Sequence, residues 1–268
     1  MNSYASDSCE GYASVNGLLM YYRIMGVGRP LVLLHGAFST IDTSFAGYLP
    51  GLAATRMLIA VEFQGHGHTA DIDRPLTYEQ LADDCAEVLG NLGISGADVF
   101  GYSMGAGVAL QLAMRHPNLV RTLIAASVTY CSAGMHAGFH DGSTKLDPAQ
   151  FDGTPWRTEY DRVAPNPDDF ASLVAKVGVL DATVQDWPER DVRGIRAPTL
   201  LITADSDIVR PEHSVALFRL LGGGVCGDLV GLPNAQLAIV PGTTHVGLTN
   251  RGDWLVPMIN EFLDLHRN

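Results

Sequence analysis

The sequence predicts an α/β fold: a mostly parallel, twisted sheet of about eight strands with helices on both faces, plus a helical lid. Three observations carry this. Short apolar runs alternate with helix-period segments from residue 30 onward. Those runs are near-continuously apolar, as strands covered on both faces must be. One long stretch, residues 130–196, interrupts the rhythm before it resumes.

The segment Gly11 to Met25 alternates polar and apolar residues around Asn16-Gly17. That pair accepts the positive φ angles of a tight hairpin turn, so the segment predicts antiparallel strands on one sheet edge. Buried strands follow at Pro30–Gly36, Met57–Phe63, Ala97–Gly101 and Arg121–Ala126, then at Pro198–Thr203 and Ala235–Val240. Thr77 to Leu92 reads as a helix. Thr77 is its N-cap, Gln80 completes a capping-box pattern, and Gly93 is a stop. Leu81, Cys85, Val88, Leu89 and Leu92 share its apolar face. Met104 to Arg115 is a second helix, with Pro117 just beyond its end. Asp253 to His266 is a terminal amphipathic helix with Leu255, Ile259, Phe262 and Leu263 on one side. The 130–196 stretch is rich in Gly, Asp and Pro early and turns helical from Pro167 to Leu180. An interruption of that length reads as an insertion over a functional site. Residues 1–129 and 197–268 then form the core and 130–196 the cap.

Hydrophobic residues make up 47% of the 268-residue chain and charged residues 17%, which suits a substantial core. A net charge of −12 with no basic run excludes nucleic acid as a partner, because phosphate backbones demand clustered Lys and Arg. Met1 to Glu10 lack the charged-then-apolar pattern of a secretory signal, and runs such as Leu31–Leu34 are far too short to span a membrane. A cytoplasmic enzyme without a membrane partner is the simplest expectation, and a homodimer is compatible with it. Cys9, Cys85, Cys131 and Cys226 show neither CxxC nor zinc-like spacing and read as reduced thiols.

The sharpest chemical signal is Gly101-Tyr102-Ser103-Met104-Gly105, a G-x-S-x-G between a strand and a helix. Its glycines keep side chains out of a cramped turn that exposes the Ser103 hydroxyl at a helix N-terminus. A serine is a weak nucleophile until a base takes its proton. Of nine histidines, His245 is placed for this, because it follows the last strand on the edge where catalytic groups of parallel sheets gather. His116, His213 and His266 read as residues at helix ends or exposed turns, and His136 and His140 fall in the lid. An acid belongs on the loop after the penultimate strand, where Asp205 and Asp207 both stand. Asp207 lies further into the loop, which leaves Asp205 to brace it. Backbone N–H groups of Met104 and Ala37 would hold a developing oxyanion, and His35 would brace the Ala37 turn.

Taken in order, these landmarks resemble the α/β-hydrolase superfamily, in particular its serine esterase and haloperoxidase-like branch. They are the His35-Gly36 turn, Gly65-His-Gly-His-Thr69, the Ser103 elbow, the loop from Ala204 to Pro211, and Gly242-Thr-Thr-His245. In that comparison the family's aspartate falls on Asp207, four residues before Pro211. Ala204 replaces a frequent Gly and Glu62 a frequent Asp, neither at a catalytic position.

The resemblance implies a serine hydrolase that cleaves carboxylic esters through an acyl-enzyme on Ser103, His245 and Asp207, with no metal or organic cofactor. Carbon–carbon hydrolases are similar, but their usual Asn before the nucleophile is Tyr102 here and their Trp after the His is Val246. Lactone and thioester hydrolysis stay open. So do two other classes, a ligand-binding protein and a cofactor-independent oxygenase on the same fold. The expected partner is a small ester with an apolar acyl or aryl group, bound by Phe38, Tyr130, Phe139, Trp156 and Val246. Met135, Phe151 and Tyr160 add apolar surface in the lid.

Overall fold

Alternation of side chains within each strand decides the architecture, because it gives the sheet two apolar faces. In β1 (Cys9–Val15), β2 (Leu18–Met25), β3 (Arg29–Leu34), β4 (Arg56–Val61), β5 (Ala97–Tyr102), β6 (Val120–Ala126), β7 (Thr199–Ser206) and β8 (Ala235–Thr244) the chain forms one eight-stranded sheet. The structure, a computed structural model, describes residues 8–138, 146–183 and 186–267. The strand order is β1-β2-β4-β3-β5-β6-β7-β8. Pairs β1–β2 and β2–β4 are antiparallel and all others parallel.

Val32 and Leu34 of β3 and Ile59 and Val61 of β4 enter one core, while Leu31, Leu33, Leu58 and Ala60 enter the other. Ten α-helices occur among the described residues: α1 (Ile41–Phe45), α2 (Leu49–Ala53), α3 (Tyr78–Asn91), α4 (Met104–Arg115), α5 (Pro155–Val163), α6 (Phe170–Ala182), α7 (Glu189–Arg193), α8 (Pro211–Leu220), α9 (Gly227–Val230) and α10 (Gly252–Leu265). Buried residues of α3, α4 and α6 fill the first core, and those of α1, α2 and α10 the second. In α10 these include Leu255, Ile259, Phe262 and Leu263, the face that its helical spacing predicts.

Local signals act as their chemistry requires, with three departures. Asn16 and Gly17 take φ of 48° and 83°, the mirror-image turn that matches strand twist. Thr77 caps α3 by accepting the Gln80 amide at 3.1 Å. The Gln80 side chain turns forward to Asp84 at 3.1 Å instead of back to the cap, so only half of the capping box forms. Strand β8 runs through Pro241 to Thr244 rather than stopping at Val240. An outer-edge strand tolerates a proline because its missing N–H faces no neighbour. The pairing also slips between Ala204 and Ser206, where four residues of β8 match two of β7. Finally, His213 is buried, not on an exposed turn. Its Nε2 lies 3.0 Å from Thr129 Oγ1, and a Cβ on Gly134 would press on its ring at 2.6 Å.

Between β6 and β7 the chain makes its long excursion. It leaves at Tyr130 and returns at Trp187, whose amide donates to the Tyr130 carbonyl at 3.1 Å. A bridge between Cys131 and Asp186 closes the same stem. Helix α7, inside the expected 130–196 boundary, packs on α4 and α8 of the sheet domain. Lys176 of α6 anchors the excursion by an ion pair to Asp71 at 2.8 Å, and Asp71 also accepts from Gln64 in the core at 2.8 Å. Among the described residues all four cysteines are free, and no helix is long and apolar enough to cross a membrane.

Candidate active site

The C-terminal ends of β3, β5, β6, β7 and β8 lie side by side in the sheet, and each delivers one group to a common point. Ser103 directly follows β5 and holds φ 55° and ψ −122°, a strained conformation for a residue with a Cβ. Its neighbours explain how the strain is housed. A Cβ on Gly101 would sit 2.6 Å from Ala106 Cα, and one on Gly105 would sit 2.5 Å from the His35 carbonyl oxygen. Only glycine lets helix α4 start this close to β5 and to the turn after β3.

His245 follows β8, and its Nε2 is 2.9 Å from Ser103 Oγ. Its Nδ1 is 2.7 Å from Asp207 Oδ1. A carboxylate only accepts, so Nδ1 carries the ring proton and Nε2 is left to accept the serine hydroxyl proton. Asp207 is buried. Burial pushes its carboxyl up, but the bond and charge of His245, the Ser127 hydroxyl and the Ala204 amide together hold it below the usual carboxylate value. Asp205 takes the other role considered for it. Its carboxylate accepts the Gly242 and Thr243 amides at 2.8 and 3.1 Å, which fastens the slipped end of β8 just before His245.

Beside the serine, Met104 opens α4 as its first residue, where a backbone N–H has no preceding turn to donate to. Among the described residues neither the Met104 nor the Ala37 amide donates to a protein acceptor. Phe38 takes φ 60°, which bends the turn after β3 back on itself. His35 braces that turn with both ring nitrogens, Nδ1 on the Gly36 carbonyl at 2.7 Å and Nε2 accepting the Phe63 amide at 3.1 Å. Full burial, and after it the nearby His66, hold its pKa well below the ordinary value, so it stays neutral. Glu62 ties the neighbouring loops, accepting the Ile41 and His68 amides at 3.1 and 2.7 Å. Tyr102 closes the set: its hydroxyl donates to the His245 carbonyl at 3.0 Å, and its ring lies 5.4 Å from the imidazole.

Above these groups is a cavity of about 1060 Å³. Ser103, His245, Ala37, Phe38, Met104 and Val246 line its floor and rim. The excursion lines the roof with Met135, Leu146, Phe151, Trp156 and Val174. Tyr130 does not belong to the lining. Its ring stacks on His213 at 4.7 Å, because it sits at the stem where the chain leaves the sheet. Tyr160 is buried against Phe170 at 5.0 Å and packs the roof from behind. Phe139 and His140 lie outside the described residues. Among those described, no three His, Cys, Asp or Glu side chains converge as metal ligands would.

A sequence model of the alpha/beta hydrolase family matches residues 31–257, so the chain belongs to this family. It is 30% identical over 137 residues to an sn-1-specific diacylglycerol lipase, ABHD11, of Danio rerio, covering 50% of this chain and 43% of that protein. It is 37% identical over 103 residues to a 2-hydroxymuconate semialdehyde hydrolase of Pseudomonas sp. (strain CF600), covering 37% of this chain and 36% of that protein. The matched part thus spans less than half the length of either relative. Among solved structures, the enol-lactonase of Burkholderia xenovorans LB400 aligns with a TM-score of 0.70 at 20% identity, over 94% of this chain and 99% of that one. A serine hydrolase involved in carbazole degradation, CarC, aligns with a TM-score of 0.75 at 18% identity, over 97% and 100%. At these identities the structural likeness concerns the fold.

Proposed function

We propose that the protein is a serine hydrolase that cleaves carboxylic esters with an apolar acyl or aryl group. One observation carries the reading: an unbroken relay from Asp207 through His245 to Ser103, at 2.7 and 2.9 Å, opens into a large apolar cavity. His245 takes the Ser103 proton as the hydroxyl attacks the ester carbonyl. The Met104 and Ala37 amides stabilise the tetrahedral oxyanion, a contribution of about 3–4 kcal/mol for a single such donor in other hydrolases. His245 then hands its proton to the leaving alcohol, the acyl group stays on Ser103, and a water deprotonated by His245 releases it. Asp207 remains ionised and keeps the imidazole in the required tautomer. Residues 130–196 act as the cap that selects the acyl group.

A carbon–carbon or lactone substrate is the second reading, favoured by the identity to the semialdehyde hydrolase. Tyr102 and Val246 stand where the similar carbon–carbon hydrolases carry Asn and Trp, which supports the ester. The test is turnover of p-nitrophenyl esters from acetate to decanoate, beside lactones and thioesters, with covalent labelling by a fluorophosphonate. Turnover and labelling should both vanish in Ser103→Ala, a loss on the order of 10⁴-fold or more in kcat. No turnover and no labelling of the wild-type protein would sink the hydrolase.

A further inference from the structure

Among the described residues Asp207 accepts five hydrogen bonds, and four come from the end of β7, from the loop after it or from the histidine it orients. Val209 donates its amide to Oδ1 at 3.3 Å, and Ala204 donates its amide to Oδ2 at 3.1 Å. Thr203 adds its hydroxyl to Oδ2 at 3.4 Å, and His245 its Nδ1–H to Oδ1. The fifth is the Ser127 hydroxyl on Oδ2, from a residue 80 positions away in sequence. Ser127 is buried, directly follows β6, and holds φ 54°. A serine with a positive φ is a strained residue where glycine would be at ease.

Its position in the ladder shows what the strain serves. The Ser103 amide donates to the Ala126 carbonyl at 2.8 Å. One residue on, the Ser127 amide donates to the Ile202 carbonyl of β7 at 2.7 Å. The same residue then sends its hydroxyl to the carboxylate beyond the end of β7. The tip of β6 is therefore a continuous bridge between the nucleophile's backbone and the acid's Oδ2, the oxygen turned away from His245.

We propose that Ser127 is a positioning residue for the acid: from the strained tip of β6 it fixes the Asp207 carboxylate, and through it the imidazole, against Ser103. This rests on the acyl-enzyme reading above. The hydroxyl joins the Ala204 amide and the Thr203 hydroxyl on Oδ2, and it alone reaches that oxygen from β6, so it opposes rotation of the carboxylate plane that would carry Oδ1 away from Nδ1. Ser127 also borders the cavity, so a contact with substrate has to be separated from a contact with the acid.

Two substitutions make that separation. Ser127→Gly removes the hydroxyl and relaxes the backbone, whereas Ser127→Ala removes the hydroxyl and keeps the Cβ at positive φ. Both are compared with wild type and Ser103→Ala in p-nitrophenyl butyrate turnover and in saturation kinetics of fluorophosphonate labelling. A misplaced relay predicts that kcat and the limiting labelling rate fall by about 10- to 100-fold in both variants, with KM within threefold. A Gly variant within twofold of wild-type kcat would show that the residue serves only its turn. A loss lying in KM would make it a substrate contact. Either result overturns the proposal, and Ser127→Gly decides it alone where Ser127→Ala does not fold. Turnover that survives in Ser103→Ala overturns the acyl-enzyme reading itself, whereas an inactive Ser103→Ala beside an active Ser127→Gly removes this inference and leaves that reading standing.

Discussion

The floor and the roof of the cavity are built on opposite principles. On the floor, polar groups are fixed by partners: both nitrogens of His35 and of His245, both oxygens of Asp207 and of Asp205. Glycines there are packed so tightly that a methyl group has no space. The roof is mostly apolar and held by ring contacts, such as Phe151 with Phe170 at 5.5 Å and with Phe38 of the rim at 4.6 Å. It is tied down at the stem and through Lys176 on Asp71. The difference teaches where precision is needed. Proton transfer requires hydrogen-bond distances, whereas selecting an apolar group requires only shape and area.

Three changes would break or sharpen that contrast. The largest effect is expected on the floor at Gly105→Ala, whose Cβ would press on the Leu34 and His35 carbonyls. Backbone cannot give way there without opening the Ala37 turn. The variant should lose about 3 kcal/mol or more of stability, read as the urea midpoint, together with most activity. A wild-type midpoint would show the floor to be more plastic than its packing implies.

Acidification should also act on the core side of the molecule. Burial holds His66 and His213 down to about 4, against an ordinary value of 6.5, and holds His35 well below it. Among the described residues His66 Nε2 has no acceptor waiting for a second proton. The unfolded chain therefore binds more protons than the native one between about pH 6.5 and 4, so stability falls as the pH drops through that window. Asp207, held below its usual value, contributes stability that is present above that value and is lost only at still lower pH. Urea midpoints from pH 7.5 to 4.5 should decline below about 6.5. A midpoint unchanged down to pH 4.5 would contradict the neutral, buried histidines.

The smallest effect belongs to the roof. Phe151→Ala should raise KM for p-nitrophenyl decanoate by about 5- to 10-fold while leaving acetate within twofold, because only a long acyl chain reaches the ring. Equal losses on both esters would show that the roof supports the floor rather than selecting the chain.

How much of this was legible beforehand follows from the range of each interaction. Asn16-Gly17, Thr77 with Gln80, and the Gly101–Gly105 elbow could be read directly, because each is a bargain struck within five residues. Even here the Gln80 side chain was lost to Asp84, a neighbour one turn along that competes for the same amide. The five short helices α1, α2, α5, α7 and α9 carry too few turns for their spacing to stand out. Tyr130 looked like a pocket residue because it is aromatic and in the lid segment, yet stem geometry turned it onto His213. Ser127 left no local mark at all. A serine after a strand is ordinary until a carboxylate 80 residues away arrives beside it.

The sequence by itself determined the strand and helix rhythm, the elbow with its two indispensable glycines, and the order in which serine, acid and histidine candidates arrive. Those properties depend on periodicity, backbone sterics and residue chemistry, all of which act over short stretches of chain. Only the tertiary structure decided that β3, β5, β6, β7 and β8 present their ends together, that the Asp205 carboxylate fastens the Gly242 and Thr243 amides, and that Ser127 joins β6 to the acid. Those decisions turn on parallel pairing between distant segments, including the slip in register after Ala204, which no short stretch of chain specifies.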